Sequence, residues 1–134
     1  MNIIDISTVR NQTIEAGGYI IFDKTNVRRG LAILHVDGTP STLIYPKGVY
    51  IATLNADVTP IGAGEITVAL ENNGVVLNKA TFMGVAGIGE NVAFSFPVSV
   101  LKSCECVDNH ADLKISVSAD ATVNANLMVS RKVY

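Results

Sequence analysis

The sequence predicts an all-β domain, built as a β-sandwich or barrel of about eight or nine strands. Val, Ile and Thr together make up 40 of its 134 residues, and β-branched side chains lose rotamer freedom in a helix but fit a pleated sheet. Apolar and polar residues alternate with a period of two in five segments, and turn signals recur about every 8–12 residues. No segment has sustained helical periodicity, so we expect no βαβ units.

Five long segments alternate clearly, and each predicts a strand with one face in the core. In chain order, the residues expected to point inward are Tyr50, Ala52, Leu54, Ala56 and Val58; Ile66, Val68 and Leu70; Val92, Phe94, Phe96, Val98 and Val100; Leu113, Ile115, Val117 and Ala119; and Val123, Ala125, Leu127 and Val129. Pro97 has no backbone N–H to donate, so we expect its strand to lie at a sheet edge or to be bulged there.

Shorter strands are predicted over residues 19–22, 31–37 and 42–45. Another strand, over residues 75–82, follows Asn73-Gly74, a pair that favours a tight hairpin because both positions accept a positive φ. The chain has no internal repeat, low-complexity tract or linker. We therefore expect one domain, which is the usual outcome for a chain of this length.

Composition excludes several classes of protein. The net charge of −2 and the pI of about 5.6 give no basic surface for nucleic acid. No apolar run approaches the roughly 20 residues of a membrane-spanning helix, and the first ten residues carry acids and amides where a signal peptide is apolar. Charged residues make up 16% of the chain, against about 25% in typical domains, so the protein has too few charges to cover its own surface.

Residues 1–17 differ from the rest and leave two interpretations open, whereas residues 18–134 form the predicted domain. The segment has apolar residues of its own, Ile3, Ile4, Ile6, Val9 and Ile14, but too few to build a separate core. It is either a first edge strand of the sandwich or an arm that docks on a partner or on a neighbouring subunit.

Apolar residues also occur at positions that the alternation directs outward: Val49, Ile51, Ala69, Ala93 and Met128. Large exposed apolar patches usually mark contact surfaces. Together with the low charge, they predict an oligomer in which another copy covers these residues, and closed symmetric assemblies are the usual form.

Cys104-Glu105-Cys106 is the most conspicuous local motif. Residues i and i+2 of a strand lie about 6.6 Å apart, which is poorly suited to a disulfide. Asp108 and His110 are close in sequence, but the second ligand pair of a structural zinc site is missing. We interpret Cys104 and Cys106 as partly buried thiols. A further hypothesis is that thiols from several copies of the chain come close together around a symmetry axis.

No catalytic or cofactor-binding motif is found. Residues 84–89 are glycine-rich, but they lack the Lys-Ser/Thr pair of a phosphate-binding loop and precede a strand. His35 lies in an apolar strand and His110 in a polar loop, with no nucleophile motif to accompany either. The sequence therefore predicts neither an enzyme nor a cofactor, and it predicts no metal site.

Four segments resemble a known family. These are residues 48–60 (GVYIATLNADVTP), residues 64–74 (GEITVALENNG), the cysteine turn at 104–106, and residues 123–129 (VNANLMV). They are similar to a phage-encoded family whose jelly roll is like that of tumour necrosis factor and C1q. Similar chains are head decoration or head-fibre proteins of tailed phages of gut bacteria, and the same fold closes surface glycoproteins of spores. The resemblance spans residues 16–133.

The resemblance implies a jelly-roll sandwich of about 8–10 antiparallel strands that forms a tight trimer around an apolar face. It implies that residues 1–17 dock on the capsid, through Ile3, Ile4, Ile6, Val9, Arg10 and Ile14. The residues expected to form the subunit core and interface are Tyr50, Ile51, Phe94, Phe96 and Met128.

The function implied is that of a structural protein on the outside of a tailed-phage head, assembled in the host cytoplasm. Its partners would be further copies of itself and the major capsid protein, with a host-surface glycan as another candidate. The alternative is a carbohydrate- or receptor-binding module, either a lectin-like tip or a spore-surface trimerisation domain. Its loops would be residues 37–41 and 60–64, although the absence of Trp and of an obvious loop aromatic counts against sugar binding.

Overall fold

A computed structural model describes residues 2–100 and 110–132, which form two six-stranded antiparallel sheets packed face to face. The strands of this described part are β1 (Ile3–Ser7), β2 (Gln12–Ile14), β3 (Gly18–Tyr19), β4 (Lys24–Arg29), β5 (Ile33–His35), β6 (Thr42–Ile44), β7 (Gly48–Pro60), β8 (Gly64–Asn72), β9 (Val75–Gly84), β10 (Glu90–Val100), β11 (Ala111–Val117) and β12 (Ala121–Arg131). No helix in these residues could cross a membrane.

The two sheets have a jelly-roll arrangement. The first sheet has the order β10-β7-β12-β1-β4, with β2 beside β12. The second has the order β5-β6-β11-β8-β9, with β3 beside β11. The predicted all-β jelly-roll sandwich is confirmed, with more strands than expected because β2 and β4 were not predicted.

The core lies between the sheets and is built from the residues that the alternation directs inward. Strand β7 shows this most clearly, because Tyr50, Leu54 and Val58 are fully buried and Ala52 and Ala56 are only 1% exposed. The inward residues of β8, β11 and β12 are buried in the same way. Each such side chain contributes roughly 1.5–3 kcal/mol by leaving water, so this alternation is the main reason why the chain folds as a sandwich.

The position of Pro97 agrees with its missing N–H. Its strand, β10, lies at one edge of the first sheet and pairs only with β7 among the described strands, where Pro97 lies opposite Ile51. The register between β10 and β7 runs without a shift from Glu90 to Val100. Of the two predicted alternatives, an edge strand and a bulge, the structure shows the edge strand.

The hairpin between β8 and β9 is the predicted one. Asn73 has φ of 51° and Gly74 has φ of 84°, so both central residues adopt the left-handed conformation that this turn requires. The Asn73 N–H also donates to the carbonyl oxygen of Asp112 at 3.0 Å, which ties the turn to β11.

The first strand lies inside the first sheet. β1 pairs with β12 on one side and with β4 on the other, so it is not an edge strand. Ile4 and Ile6 are fully buried, and Ile14 in β2 is 6% exposed. This corrects the expectation that Ile4, Ile6 and Ile14 contact a capsid, because side chains enclosed in the sandwich are not available to a partner. The edge of the sheet on this side is formed by β4, a strand that the sequence pattern does not predict.

Candidate subunit interface and neighbouring sites

The outer surface of the first sheet, formed by the outward side chains of β10, β7, β12 and β1, is here called the open face. Ile51 lies on it, between Pro97 of β10 and Ser130 of β12. Met128 lies one row further along, between Thr53 of β7 and Asp5 of β1. Ile51 and Met128 are half-buried by their neighbours on the sheet, and nothing in the described chain packs over them as a third layer. This part of the face is apolar.

The other half of the open face is polar. The Asn91 side-chain amide donates to Asn55 Oδ1 at 2.8 Å and to Asp57 Oδ1 at 2.9 Å. The hydroxyls of Thr53 and Ser95 are 2.8 Å apart and share a hydrogen bond. Because these groups satisfy one another, they can be covered by another protein without the full desolvation cost of unpaired polar groups. The open face therefore combines an apolar half with a pre-paired polar half.

Five outward apolar residues were expected to be covered by another copy, and they do not form one patch. Val49, Ile51 and Met128 are half-buried on the open face, and Ala93 is exposed there. Ala69 belongs to β8 of the second sheet and is only 5% exposed. Alternation shows which side of a strand a residue occupies, but not which sheet the strand joins, so the expectation for Ala69 is corrected.

The residues expected to form core and interface divide between the two sides of the first sheet. Ile51 and Met128 lie on the open face, whereas Phe94 and Phe96 are half-buried and pack against the core. Tyr50 is fully buried. These positions give Ile51 and Met128 a place in an interface and give the three aromatic residues a place in the subunit core.

The hydroxyl of Tyr50 donates to the carbonyl oxygen of Pro46 at 2.9 Å. Burial raises the pKa of Tyr50 because the phenolate would lose its hydration. The guanidinium of Arg131, 5.9 Å from the ring centroid, acts in the opposite direction on the pKa. This tyrosine therefore stays neutral and structural over the physiological range.

Three of the six residues expected to contact a capsid remain on the surface. Ile3 is half-buried on the open face, opposite Ser130. Val9 is 64% exposed, and Arg10 is also exposed, in the turn between β1 and β2. The turn is held in place because the Val9 N–H donates to Asp23 Oδ1 at 2.6 Å. Val9 and Arg10 thus form a small, fixed protrusion.

Cys104 and Cys106 lie outside the described residues, so their role stays a prediction. Within residues 2–100 and 110–132, no group of three or more His, Cys, Asp or Glu side chains is arranged to hold a metal ion.

A cluster at the start of β11 was not predicted. The ring of Tyr45, 48% exposed, stacks on His110 with centroids 5.1 Å apart and planes inclined by 22°. The Asn73 side-chain amide donates to the His110 carbonyl oxygen at 2.9 Å. His110 Nδ1 and Asp112 Oδ1 are buried and have no hydrogen-bond partner among the described residues. No local sequence signal could reveal the cluster, because pairing of β6 with β11 brings these residues together.

Comparison with solved structures gives strong matches over nearly the whole chain. The globular domain of zebrafish complement 1qA protein matches with a TM-score of 0.76 at 10% identity, covering 99% of this chain and 98% of that one. Murine APRIL at pH 8.5 matches with a TM-score of 0.65 at 8% identity, covering 96% and 98%. The PRD1 vertex protein P5 matches with a TM-score of 0.59 at 14% identity, covering 98% and 97%.

Neither the scan against protein families nor the search of curated proteins finds a match. At identities of 8–14%, the structural matches establish the fold alone. The chain has the jelly roll of C1q and TNF-like domains, a fold also found in a phage vertex protein.

Proposed function

We propose that this chain is a structural protein of the virion exterior, a trimeric capsid decoration or head-fibre protein whose jelly roll is the assembly module. The observation that carries the proposal is the open face, where Ile51 and Met128 form an apolar area beside a hydrogen-bonded polar area. The structural likeness to a vertex protein gives the virion location its support. The proposal assigns the chain no catalytic role.

The apolar area suits contact with further copies of the chain. Burial of apolar surface is the dominant favourable term in most protein association, and charged groups are depleted at interface centres. Ile51 lies between Pro97 and Ser130 and has no carboxylate as a cross-strand partner among the described residues. Met128 lies beside Asp5, which would pair with a cation placed there. An arginine placed at Ile51 would therefore bring an unpaired charge into the centre of the contact.

The Ile51→Arg variant tests this interface by sedimentation velocity. We expect wild-type protein to sediment as three chains and the variant to sediment as single folded chains, because the unpaired cation cannot be buried. Val76→Arg is the matched control, since Val76 is 51% exposed on β9 of the other sheet. An unchanged trimer in Ile51→Arg, with a circular dichroism spectrum like that of wild type, would remove the open face from the proposal.

For contact with the major capsid protein we propose Ile3, Val9 and Arg10, the surface members of the expected set. Val9→Asp and Arg10→Glu should lower the amount of protein that co-sediments with capsids stripped of it, while the trimer persists. Ile21→Asp is the control, because Ile21 is 42% exposed outside this protrusion. Full co-sedimentation by a Val9→Asp, Arg10→Glu double variant contradicts the docking role.

A second candidate, recognition of a host-surface glycan, is supported by the Tyr45–His110 cluster. An exposed aromatic ring offers a stacking surface to a sugar, and the Asn73 amide lies next to it, bonded to the His110 carbonyl oxygen. A glycan array should show a signal for wild-type protein that Tyr45→Ala abolishes. Absence of any signal above background for the wild type rejects this candidate and leaves the assembly role untouched.

A further inference from the structure

The hairpin of β5 and β6 forms one wall of a cavity of about 470 Å³ at the edge of the second sheet. Ile33 and Ile44 of this hairpin point into the core and are at most 2% exposed. Leu34 lies opposite Leu43 in the register and faces the other way, and both line the cavity with Val36. The volume falls within the range of roughly 300–1,000 Å³ that is typical of small-molecule sites.

The cavity is held open by a buried histidine. The His35 side chain is fully buried, with Nδ1 2.9 Å from the carbonyl oxygen of Ser41 and Nε2 2.8 Å from that of Phe22. The carboxylate of Asp37 faces Nε2 at 3.8 Å. His35 therefore connects both ends of the 36–41 loop to the sandwich, and the cavity exists before any ligand arrives.

The cavity also contains a cation with no counter-ion in the described structure. Arg28 lines it, and no carboxylate of residues 2–100 or 110–132 lies within 4.0 Å of the guanidinium. In the β1–β4 register Arg28 is opposite the buried Ile4, whereas Arg29 is opposite Ile3 on the open face. Cross-strand partners share a face, so the two arginines point to opposite sides of β4.

We propose that this cavity binds a small molecule with an apolar body and one carboxylate. Arg28 pairs with the carboxylate, because guanidinium and carboxylate form charge-assisted, often bidentate hydrogen bonds. Leu34, Val36 and Leu43 cover the apolar body. The site is separate from the open face, and its occupancy does not depend on the proposed virion role.

Octanoate is the probe, titrated into the full-length protein and followed by amide chemical shifts and by calorimetry. The matched ligands are octanol, which lacks the charge, and octylamine, which reverses it. We expect saturable octanoate binding, weaker binding of octanol by about tenfold or more, and no binding of octylamine. Shifts should concentrate at Leu34, Val36 and Leu43.

Two substitutions with controls separate the charge from the cavity. Arg28→Gln should weaken octanoate binding by about tenfold or more and leave octanol binding unchanged, whereas the control Arg29→Gln should change neither. Val36→Asp should abolish octanoate binding by placing a carboxylate at the entrance, since Val36 is 71% exposed and its replacement is compatible with folding. Val76→Asp is the control for added charge, since Val76 is 51% exposed on β9.

Two results would overturn the proposal. One is the absence of saturable octanoate binding to wild-type protein. If Val36→Asp also lowers the assembly mass in that case, the cavity is a contact with a second copy. The other is equal binding of octanoate and octanol, which would make Arg28 irrelevant.

Discussion

Replacing Ile6 by alanine tests whether the N-terminal segment is part of the core or an arm that can be removed. Ile6 is fully buried, and its strand is paired on both sides, with Leu127 of β12 and with Thr25 of β4 as register partners. If β1 is integral to the sandwich, the substitution leaves a cavity between the sheets. If it is a docking arm, the substitution should hardly change the stability of the domain.

The size of the effect follows from burial. Truncating a buried Ile to Ala costs about 2–5 kcal/mol, because transfer free energy is lost and the cavity closes only in part. A domain of this size has a total stability of roughly 5–15 kcal/mol. Ile4, Ile6 and Ile14 are all buried, so their joint removal would cost roughly 5–9 kcal/mol in hydrophobic burial alone. Deletion of residues 1–14 should therefore unfold the protein.

The assay is urea denaturation at one fixed protein concentration, since association also stabilises the folded state. Ile6→Ala should lower the free energy of unfolding by about 2–5 kcal/mol. Ile3→Ala, its neighbour on the open face, should lower it by less than about 1 kcal/mol because Ile3 is only half-buried. An Ile6→Ala variant as stable as wild type, or a folded deletion of residues 1–14, would refute the placement of β1.

Three further predictions concern buried polar and close-packed groups. Tyr50→Phe should lower stability by about 1 kcal/mol at neutral pH through loss of the bond to Pro46. The pKa of Tyr50 is raised in the folded protein. Its contribution to the free energy of unfolding is therefore complete below the unfolded pKa of about 10 and is lost as the pH rises through the folded pKa. The stabilities of wild type and Tyr50→Phe should accordingly converge when urea denaturation is repeated at alkaline pH. His35→Leu should lower the unfolding free energy by about 1–3 kcal/mol, because carbonyl partners are left unpaired; equal stability contradicts the role of His35. Gly84→Ala should lower the melting temperature and cost about 1–3 kcal/mol, since a Cβ there would lie 2.7 Å from Pro60 Cγ; an unchanged melting temperature contradicts this contact.

The long strands could be predicted from the sequence because burial on one side imposes a period of two. Tyr50, Leu54 and Val58 are fully buried, as this pattern requires. Strand β4 could not be predicted, because Lys24–Arg29 contains one apolar residue and forms a strand only by pairing with β1 at the sheet edge. The interior position of β1 was missed because the neighbouring apolar residues Ile3 and Ile4 obscure its alternation.

The candidate sites depend on pairings between distant parts of the chain. The open face could be anticipated in part, since Ile51 and Met128 are outward residues of alternating strands. The Tyr45–His110 stack and the cavity beside His35 could not, because a sequence pattern does not say which strands become neighbours. Arg28 is one of two adjacent arginines in a polar segment, and only its register opposite Ile4 places it beside the cavity.

The mass of the purified protein, measured by light scattering over a range of micromolar concentrations, tests most directly whether this jelly roll assembles through its open face. We expect a constant mass of three times the 14.2 kDa of one chain, together with loss of that mass in Ile51→Arg. A stable mass of 14.2 kDa for the wild-type protein across the range would contradict this expectation.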